Sequence, residues 1–380
     1  MAVREILQER YRLHPYLYTL TYQAHTAGST VVRPLFYEYP TDHVTFDIDE
    51  QFLWGSNLLI SPALTASNDI SFYLPTGSLW FDYFTGEKVP SGWQSKHLEL
   101  DEIALHVRSG SIIPIQDPAA TTAESRCNTY GLIYSMDTQS TGKGELFIDD
   151  GESINIDNYI VINFSGSSTK LTSTPTIHGT MSTVQSALGC SESSFLVLNN
   201  LTIYGVEDEV IQLFVEIRKT DDYEDNRLLE FEISQNKLEV TNMNIKLTDQ
   251  FTIYWTTQKY ASRIDCMFDS PWTDKAACDS RGCVYDEEYH PHVPLCYYPD
   301  NYEHYYVEER NEGQFELDST LVNGLQLILR LSPNAVFTPS LSYGPDDQIK
   351  LLQCIVYFLD TTSVRIKITD MGNERFEVPV

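Results

Sequence analysis

The sequence predicts a mainly β chain divided into several small domains, one of them stapled by disulfides, and three observations carry that reading. Apolar residues alternate with polar ones over short stretches that end in turn residues: Ile70, Phe72 and Leu74 before Pro75, then Ile103, Leu105 and Val107 before Gly110. Four of the seven cysteines, Cys266, Cys278, Cys283 and Cys296, fall within 31 residues, in a segment too polar to bury a core of its own. The 380 residues are enough for two to three domains, and no run approaches the roughly eighteen apolar residues of a membrane span.

The formal charge of -29, from 54 acidic against 25 basic residues, repels phosphate backbones and anionic lipid. Nucleic acid and direct binding to a membrane surface are therefore poor partners. Met1-Ala2-Val3-Arg4-Glu5-Ile6 has no apolar core of a signal peptide, yet clustered cysteines and the acceptor sequons at Asn163 and Asn200 point to an oxidising, secretory compartment. The conflict suggests a chain that begins in mid-protein.

Taken in order, Leu13, Leu17, Leu20 and Ala24 recur at helical spacing, with Gly28 as the stop and Pro15 expected to kink the helix or move its start. Next come Val31-Val32-Arg33-Pro34-Leu35-Phe36-Tyr37-Glu38-Tyr39-Pro40 and Asp47-Ile48-Asp49 through Trp54-Gly55-Ser56-Asn57 to Pro62. With the Arg10–Tyr18 stretch, these blocks resemble the end of the catalytic barrel in glycoside hydrolase family 31, the family of maltases, glucoamylases and sucrase-isomaltase. Phe72-Tyr73-Leu74-Pro75, Trp80-Phe81-Asp82-Tyr83 and His106-Val107-Arg108-Ser109-Gly110 resemble landmarks of that family's proximal C-terminal β-domain. Gly144 through Ser153 is similar to its distal domain, with Phe251–Trp255 as that domain's last strand.

The cysteine-rich segment admits three pairings, and its gaps of eleven, four and twelve residues contain no C-x2-C zinc knuckle, so disulfides fit better than metal. Arg263-Ile264-Asp265-Cys266, Arg281-Gly282-Cys283 and Pro294-Leu295-Cys296-Tyr297-Tyr298 resemble a trefoil (P-type) domain that lacks two of its six cysteines. The resemblance implies bridges Cys266–Cys283 and Cys278–Cys296, because the two absent cysteines would have been partners. Of Cys127, Cys190 and Cys354, at least one must be free or bonded elsewhere.

After the trefoil the chain returns to strands: Leu325, Leu327, Leu329 and Leu331 alternate, as do Val364, Ile366 and Ile368. Ile366–Asp370 and Arg375–Pro379 resemble the start of a family 31 N-terminal β-sandwich. The implied order is therefore the end of a (β/α)8 barrel over 1–50, a proximal C-terminal β-domain over 51–117 and a distal one over 118–259. A trefoil over 260–300 and the start of a second unit's sandwich over 301–380 complete it. That order resembles the junction between two catalytic units of an intestinal-type α-glucosidase.

Glycoside hydrolysis usually needs two carboxyl groups about 5–9.5 Å apart. Asp47 and Asp49 would share one face of a strand, whereas adjacent Asp149 and Asp150 point apart and, like Asp346 and Asp347, read as a turn. His25 reads as a charge at a helix C-terminus, His106 as a structural strand residue, and His290 with His292 as a chance pair. The family's nucleophile, acid/base Asp and substrate-binding His all precede the first helix recognised here, so no catalytic residue is assigned. The resemblance implies a fragment of a retaining α-glucosidase acting on maltose-like oligosaccharides, secreted or on the outer face of the plasma membrane, without cofactor or metal. By itself the fragment is expected to be inactive, with a sticky Leu13/Leu17/Leu20 face left over from the absent barrel. The alternative is a non-enzymatic secreted protein that binds glycans or mucosal partners.

Overall fold

The computed structural model describes residues 2–65, 67–99, 101–137, 139, 141–154, 156–191, 195–206, 210–218, 224–234, 237–257, 260, 262–267, 274–287, 293–299, 305–331, 349–359 and 363–372. Asp346, Asp347, His290, His292 and the stretch Arg375–Pro379 lie outside them. The chain divides into two compact units, residues 1–261 and 262–380.

The first unit opens with helices α1, Ala2–Arg12, and α2, His14–Ala27. Pro15 does not kink a continuous helix. It sits in the first turn of α2, where its missing N–H costs nothing, and Gly28 ends the helix at φ 70°, donating its N–H to the Ala24 carbonyl. The first sheet has six antiparallel strands in the order Val32–Arg33, Phe52–Trp54, Leu58–Ser61, Ala104–Arg108, Trp80–Asp82 and Lys88–Val89. Asp69–Leu74 pairs separately with Gly92–His97. Trp80, fully buried, hydrogen-bonds the Pro75 carbonyl through its indole N–H, so a large apolar ring is buried without stranding its donor.

The second sheet has twelve strands among the described residues. Its centre is Ser111–Gln116, flanked by Gly142–Ile148 on one side and Tyr130–Ser135 on the other. On the first side follow Tyr159–Gly166, Lys170–His178, Gln250–Thr257, Val210–Arg218 and Glu224–Leu229; on the other, Val197–Tyr204, Lys237–Val240 and Phe231–Ser234. Ile245–Lys246 pairs with Val197 and Leu198. The 111–116 strand, the last of the stretch expected as the proximal domain, pairs within this second sheet, through six register pairs with 130–135. Alternation marks a strand without naming its partner.

Cys127 and Cys190 form a disulfide at the edge of this sheet's core, across 63 residues of sequence, and Cys354 is the free cysteine, buried.

The second unit contains a small, cysteine-centred fold and a sheet. Disulfides join Cys266 to Cys283 and Cys278 to Cys296, and these four half-cystines with Met267 are its buried cluster. A short helix, Lys275–Ser280, is capped by Asp274, which accepts from the Ala277 N–H at 2.7 Å. Arg263 lies 4.0 Å over the Tyr297 ring and pairs with Asp286 at 2.7 Å. An antiparallel four-stranded meander follows: Tyr305–Leu317, Thr320–Leu331, Leu351–Phe358 and Val364–Asp370. Register puts Leu325, Val356 and Ile366 on one face with Leu327, Cys354 and Ile368. That face is apolar but open, with Ile366 and Ile368 about three-fifths exposed (59% and 60%).

Closing a long loop restricts the unfolded chain, so replacing both Cys127 and Cys190 by Ser is expected to lower the stability of the first unit by about 2–4 kcal/mol. Urea unfolding followed by tryptophan fluorescence reads this as a lower midpoint, and an unchanged midpoint would mean that the bridge adds nothing to the sheet it spans.

Candidate functional site

Helix α2 packs against both sheets of the first unit and lines the cleft between them. Its Leu13, Tyr16 and Leu20 are nearly fully buried in a cluster with Leu58, Phe81, Leu105 and Val107 of the first sheet and Ile113, Ile115, Ile133 and Tyr204 of the second. The expectation of a sticky Leu13/Leu17/Leu20 face is therefore corrected: Leu13 and Leu20 pack on the β-domains, and Leu17 is half-buried. The first sheet meets the helix closely at Gly55, whose φ is 58° and where a Cβ would stand 2.6 Å from Leu20 Cδ2. Only glycine fits both demands.

On its other side α2 meets the Gly142–Ile148 strand. The Phe147 N–H donates to Thr19 Oγ1 at 3.0 Å, Thr19 donates to the Pro15 carbonyl at 2.8 Å, and Gln23 donates to Glu145 at 3.1 Å. Tyr22 stacks on Phe147 with ring centroids 3.9 Å apart. Tyr18 donates to Asp149 at 2.8 Å, and burial together with that carboxylate pushes its phenol up to about 12. The first sheet, the second sheet and α2 enclose a polar cleft of about 530 Å³ lined by Gln23, Arg33, Asn57, Arg108, Lys143 and Glu145 among others. Arg33 and Arg108 share Glu38, at 2.6 and 3.3 Å.

The buried carboxylates among the described residues are Asp82 and Asp149, and both are consumed structurally. Asp149 accepts from Tyr18 and from the Gly151 N–H, while its neighbour Asp150 closes a turn by accepting from the Glu152 and Ser153 amides. Asp82 accepts from the Phe84 and Thr85 amides and from Lys96 at 2.7 Å. Burial alone would raise its pKa, but the Lys96 ammonium and the amides more than offset this, so it sits below the usual carboxylate range.

Asp47 and Asp49 do not form the shared-face strand pair read from the sequence. Asp47 ends the 3-10 helix His43–Asp47, Asp49 follows in the loop, and both are exposed. The D-x-D spacing is met by a turn, because the chain must reverse before the Phe52–Trp54 strand. His25 is exposed in the last turn of α2. His106 is 1% exposed and packs 4.7 Å from the Phe72 ring, with no partner for Nδ1 among the described residues. Asn163 is exposed and Asn200 half-buried.

The sulfurs of Cys266, Cys283 and Cys296 lie within 4.8 Å of one another, the spacing of a metal site, but all three are oxidised in disulfides and offer no thiolate. Tyr18 and Arg126, which lies 5.4 Å over the Tyr18 ring and donates to the Asp150 carbonyl, fasten α2 to the second sheet together with Asp149, whose sequence reading as a turn residue gives no sign of this role. The only hint was Tyr18 and Tyr22 at i,i+4 on one helix face.

Large apolar side chains of the 32–46 stretch are exposed: Val32, Phe36, Tyr37, Val44 and Phe46 are 54, 46, 55, 44 and 50% accessible. This arrangement supports packing against another body better than it supports bond cleavage.

Residues 28–113 match the model of the glycosyl hydrolase family 31 C-terminal domain, and residues 257–299 that of the trefoil (P-type) domain. The chain is 34% identical to intestinal sucrase-isomaltase of Oryctolagus cuniculus, over 99% of this chain and 20% of that protein. It is 33% identical to a probable maltase-glucoamylase 2 of Homo sapiens, over 99% of this chain and 14% of that one. The chain thus spans a fifth or less of these relatives' length. Among solved structures, a glucosidase II alpha subunit resembles 66% of this chain, covering 28% of its own, with a TM-score of 0.55 and 21% identity, a likeness of fold.

His106 gives a pH prediction. Burial lowers its folded value to about 4 from the ordinary 6.5, although Asp82 pulls the other way. Between those values the unfolded chain binds a proton that the folded chain refuses, so this contribution is intact above about pH 6.5 and is lost progressively as pH falls toward 4. His106→Phe is expected to flatten the acid side of the stability profile by about 2–3 kcal/mol between pH 7 and 4.5. Urea titrations of both proteins at the two pH values measure it, and parallel losses would show that His106 is not the group responsible.

Proposed function

We propose that this chain is the joint between two catalytic units of a retaining α-glucosidase, because residues 28–113 match the glycosyl hydrolase family 31 C-terminal domain and residues 257–299 the trefoil domain. The whole protein would release terminal α-linked glucose from maltose-like oligosaccharides, secreted or on the outer face of the plasma membrane. Residues 1–50 would be the end of a (β/α)8 barrel, 51–117 and 118–259 the two C-terminal β-domains, 260–300 the trefoil, and 301–380 the start of the next unit's sandwich.

The observation that carries this is a single alignment with sucrase-isomaltase over 99% of the chain, running from the helices through the trefoil into the last sheet. Two structural features support it. Val32, Phe36, Tyr37, Val44 and Phe46 are exposed within the matched residues 28–113, where a neighbouring barrel would cover them. The apolar face bearing Val364, Ile366 and Ile368 is likewise open, as one sheet of an unfinished sandwich would be.

In this reading the chain supplies scaffold, and the reacting carboxylates belong to the barrel that precedes it. The isolated chain is then expected to release no glucose from maltose, and Asp47→Asn with Asp49→Asn is expected to change nothing. Glucose release that disappears in the double variant would place the chemistry within these residues and overturn the proposal. An immunoblot of source tissue against residues 263–299 is expected to show a polypeptide several times longer than this chain.

A further inference from the structure

We infer that Asn163 carries an N-linked glycan in the folded protein and that Asn200, the other sequon among the described residues, does not. The inference rests on the secretory reading above. By sequence the two are equivalent candidates, Asn163-Phe164-Ser165 and Asn200-Leu201-Thr202. The second sheet separates them.

Register carries the argument across the sheet. Asn163 is opposite Glu145, and two residues before Glu145 on the same strand, Lys143 is opposite Ser111. Ser111 is opposite Ser135, which is opposite Tyr204; on the same strands Ile115 is opposite Gly131, which is opposite Asn200. Side chains two apart on a strand share a face, so both asparagines stand on the same face of the sheet, the one that receives α2.

Their surroundings on that face differ. Asn200 lies toward the side covered by the first sheet: its strand-mate Tyr204 is buried and donates to the Tyr83 carbonyl at 2.6 Å, and Ile115, Ile133 and Tyr204 belong to the core shared with α2. Asn200 is half-buried over Gly131, its Cβ 3.4 Å from where a Cβ on that glycine would be. A sugar on Asn200 would have to enter the seam between the two sheets. Asn163 lies beyond α2 on the other side, with Glu145 and Thr174 as its register partners, and it is exposed between half-buried Val161 and exposed Ser165.

The modification joins the Asn163 carboxamide nitrogen to the anomeric carbon of an oligosaccharide. That nitrogen loses a proton, and the lipid diphosphate that carried the sugar leaves. Transfer occurs on the nascent chain, so the fold acts afterward: it accepts a glycan on the open part of the face and is incompatible with one in the seam. A glycan at Asn163 also marks this part of the sheet as facing solvent in the complete protein.

The test is peptide mapping of the full protein purified from cells that secrete it, with N-glycanase release in 18O water and disulfide mapping on the same sample. The expected result is 18O-labelled Asp at position 163, unmodified Asn200, and a Cys127–Cys190 linked peptide. Label at position 200 in the protease-resistant protein would overturn the inference. So would an unmodified Asn163 together with an intact Cys127–Cys190 bridge. Unmodified asparagines with both cysteines open to alkylation would instead refute the secretory reading, and the inference with it.

Discussion

Helix α2 has to satisfy two sheets at once, and the first unit is built around that requirement. Its apolar side fills the shared core through Leu13, Tyr16 and Leu20, while Thr19, Tyr18 and Gln23 make polar contacts with one strand of the second sheet. Thr19 is the tightest of these demands. Its hydroxyl both donates to a carbonyl within the helix and accepts the Phe147 N–H, in a site that is fully buried. A buried amide left without an acceptor costs about 1–3 kcal/mol, so the helix cannot turn about its axis without stranding a donor. Tyr16, Thr19, Leu20 and Gln23 of the helix so held line one wall of the cleft between the sheets.

The two units are held by different physics. In the first, large side chains are removed from water: Trp80, Trp255, Tyr134 and Phe251 are almost completely buried, and each indole N–H finds a backbone carbonyl. The hydrophobic effect supplies the stability there, at roughly 25 cal/mol per Å² buried. In the cysteine-centred fold of the second unit the buried cluster is essentially the cystines themselves with Met267. Cross-links take over where too few apolar side chains are available. The surplus of acidic residues does not enter either core, since the two buried aspartates are fully hydrogen-bonded or paired.

Much of this architecture could be read from the sequence, and the failures share a cause. Short alternating runs such as Ile70–Leu74 and Ile103–Val107 became strands, Asp69–Leu74 and Ala104–Arg108, although the second is buried on both faces and its alternation marks side-chain type rather than exposure. What alternation cannot encode is the partner. Hence nothing in the alternation of Ser111–Gln116 shows that it pairs within the second sheet, and the apolar side of α2, expected to face an absent barrel, is covered by the β-domains. Asp47 and Asp49 failed in another way, since their spacing fits a strand only where the backbone is extended, and here it winds into a 3-10 turn. The Cys127–Cys190 pair was illegible because a bridge across 63 residues leaves no mark in local spacing.

The order of strands in the second sheet has a consequence for how the chain is made. Five central strands, from Tyr130–Ser135 across to Lys170–His178, come from one continuous stretch and can pair as they emerge during synthesis. Their two outer edges are then bare. One is covered, in parallel, only when Val197–Tyr204 arrives, and the other only when Gln250–Thr257 does. The edge formed by Lys170–His178 therefore stays unpaired until Gln250–Thr257 has left the ribosome, open to every other chain in the compartment. Non-local parallel closure is also slow. The same topology that makes the finished sheet broad makes its birth the stage at which it is most exposed to aggregation and most dependent on chaperones.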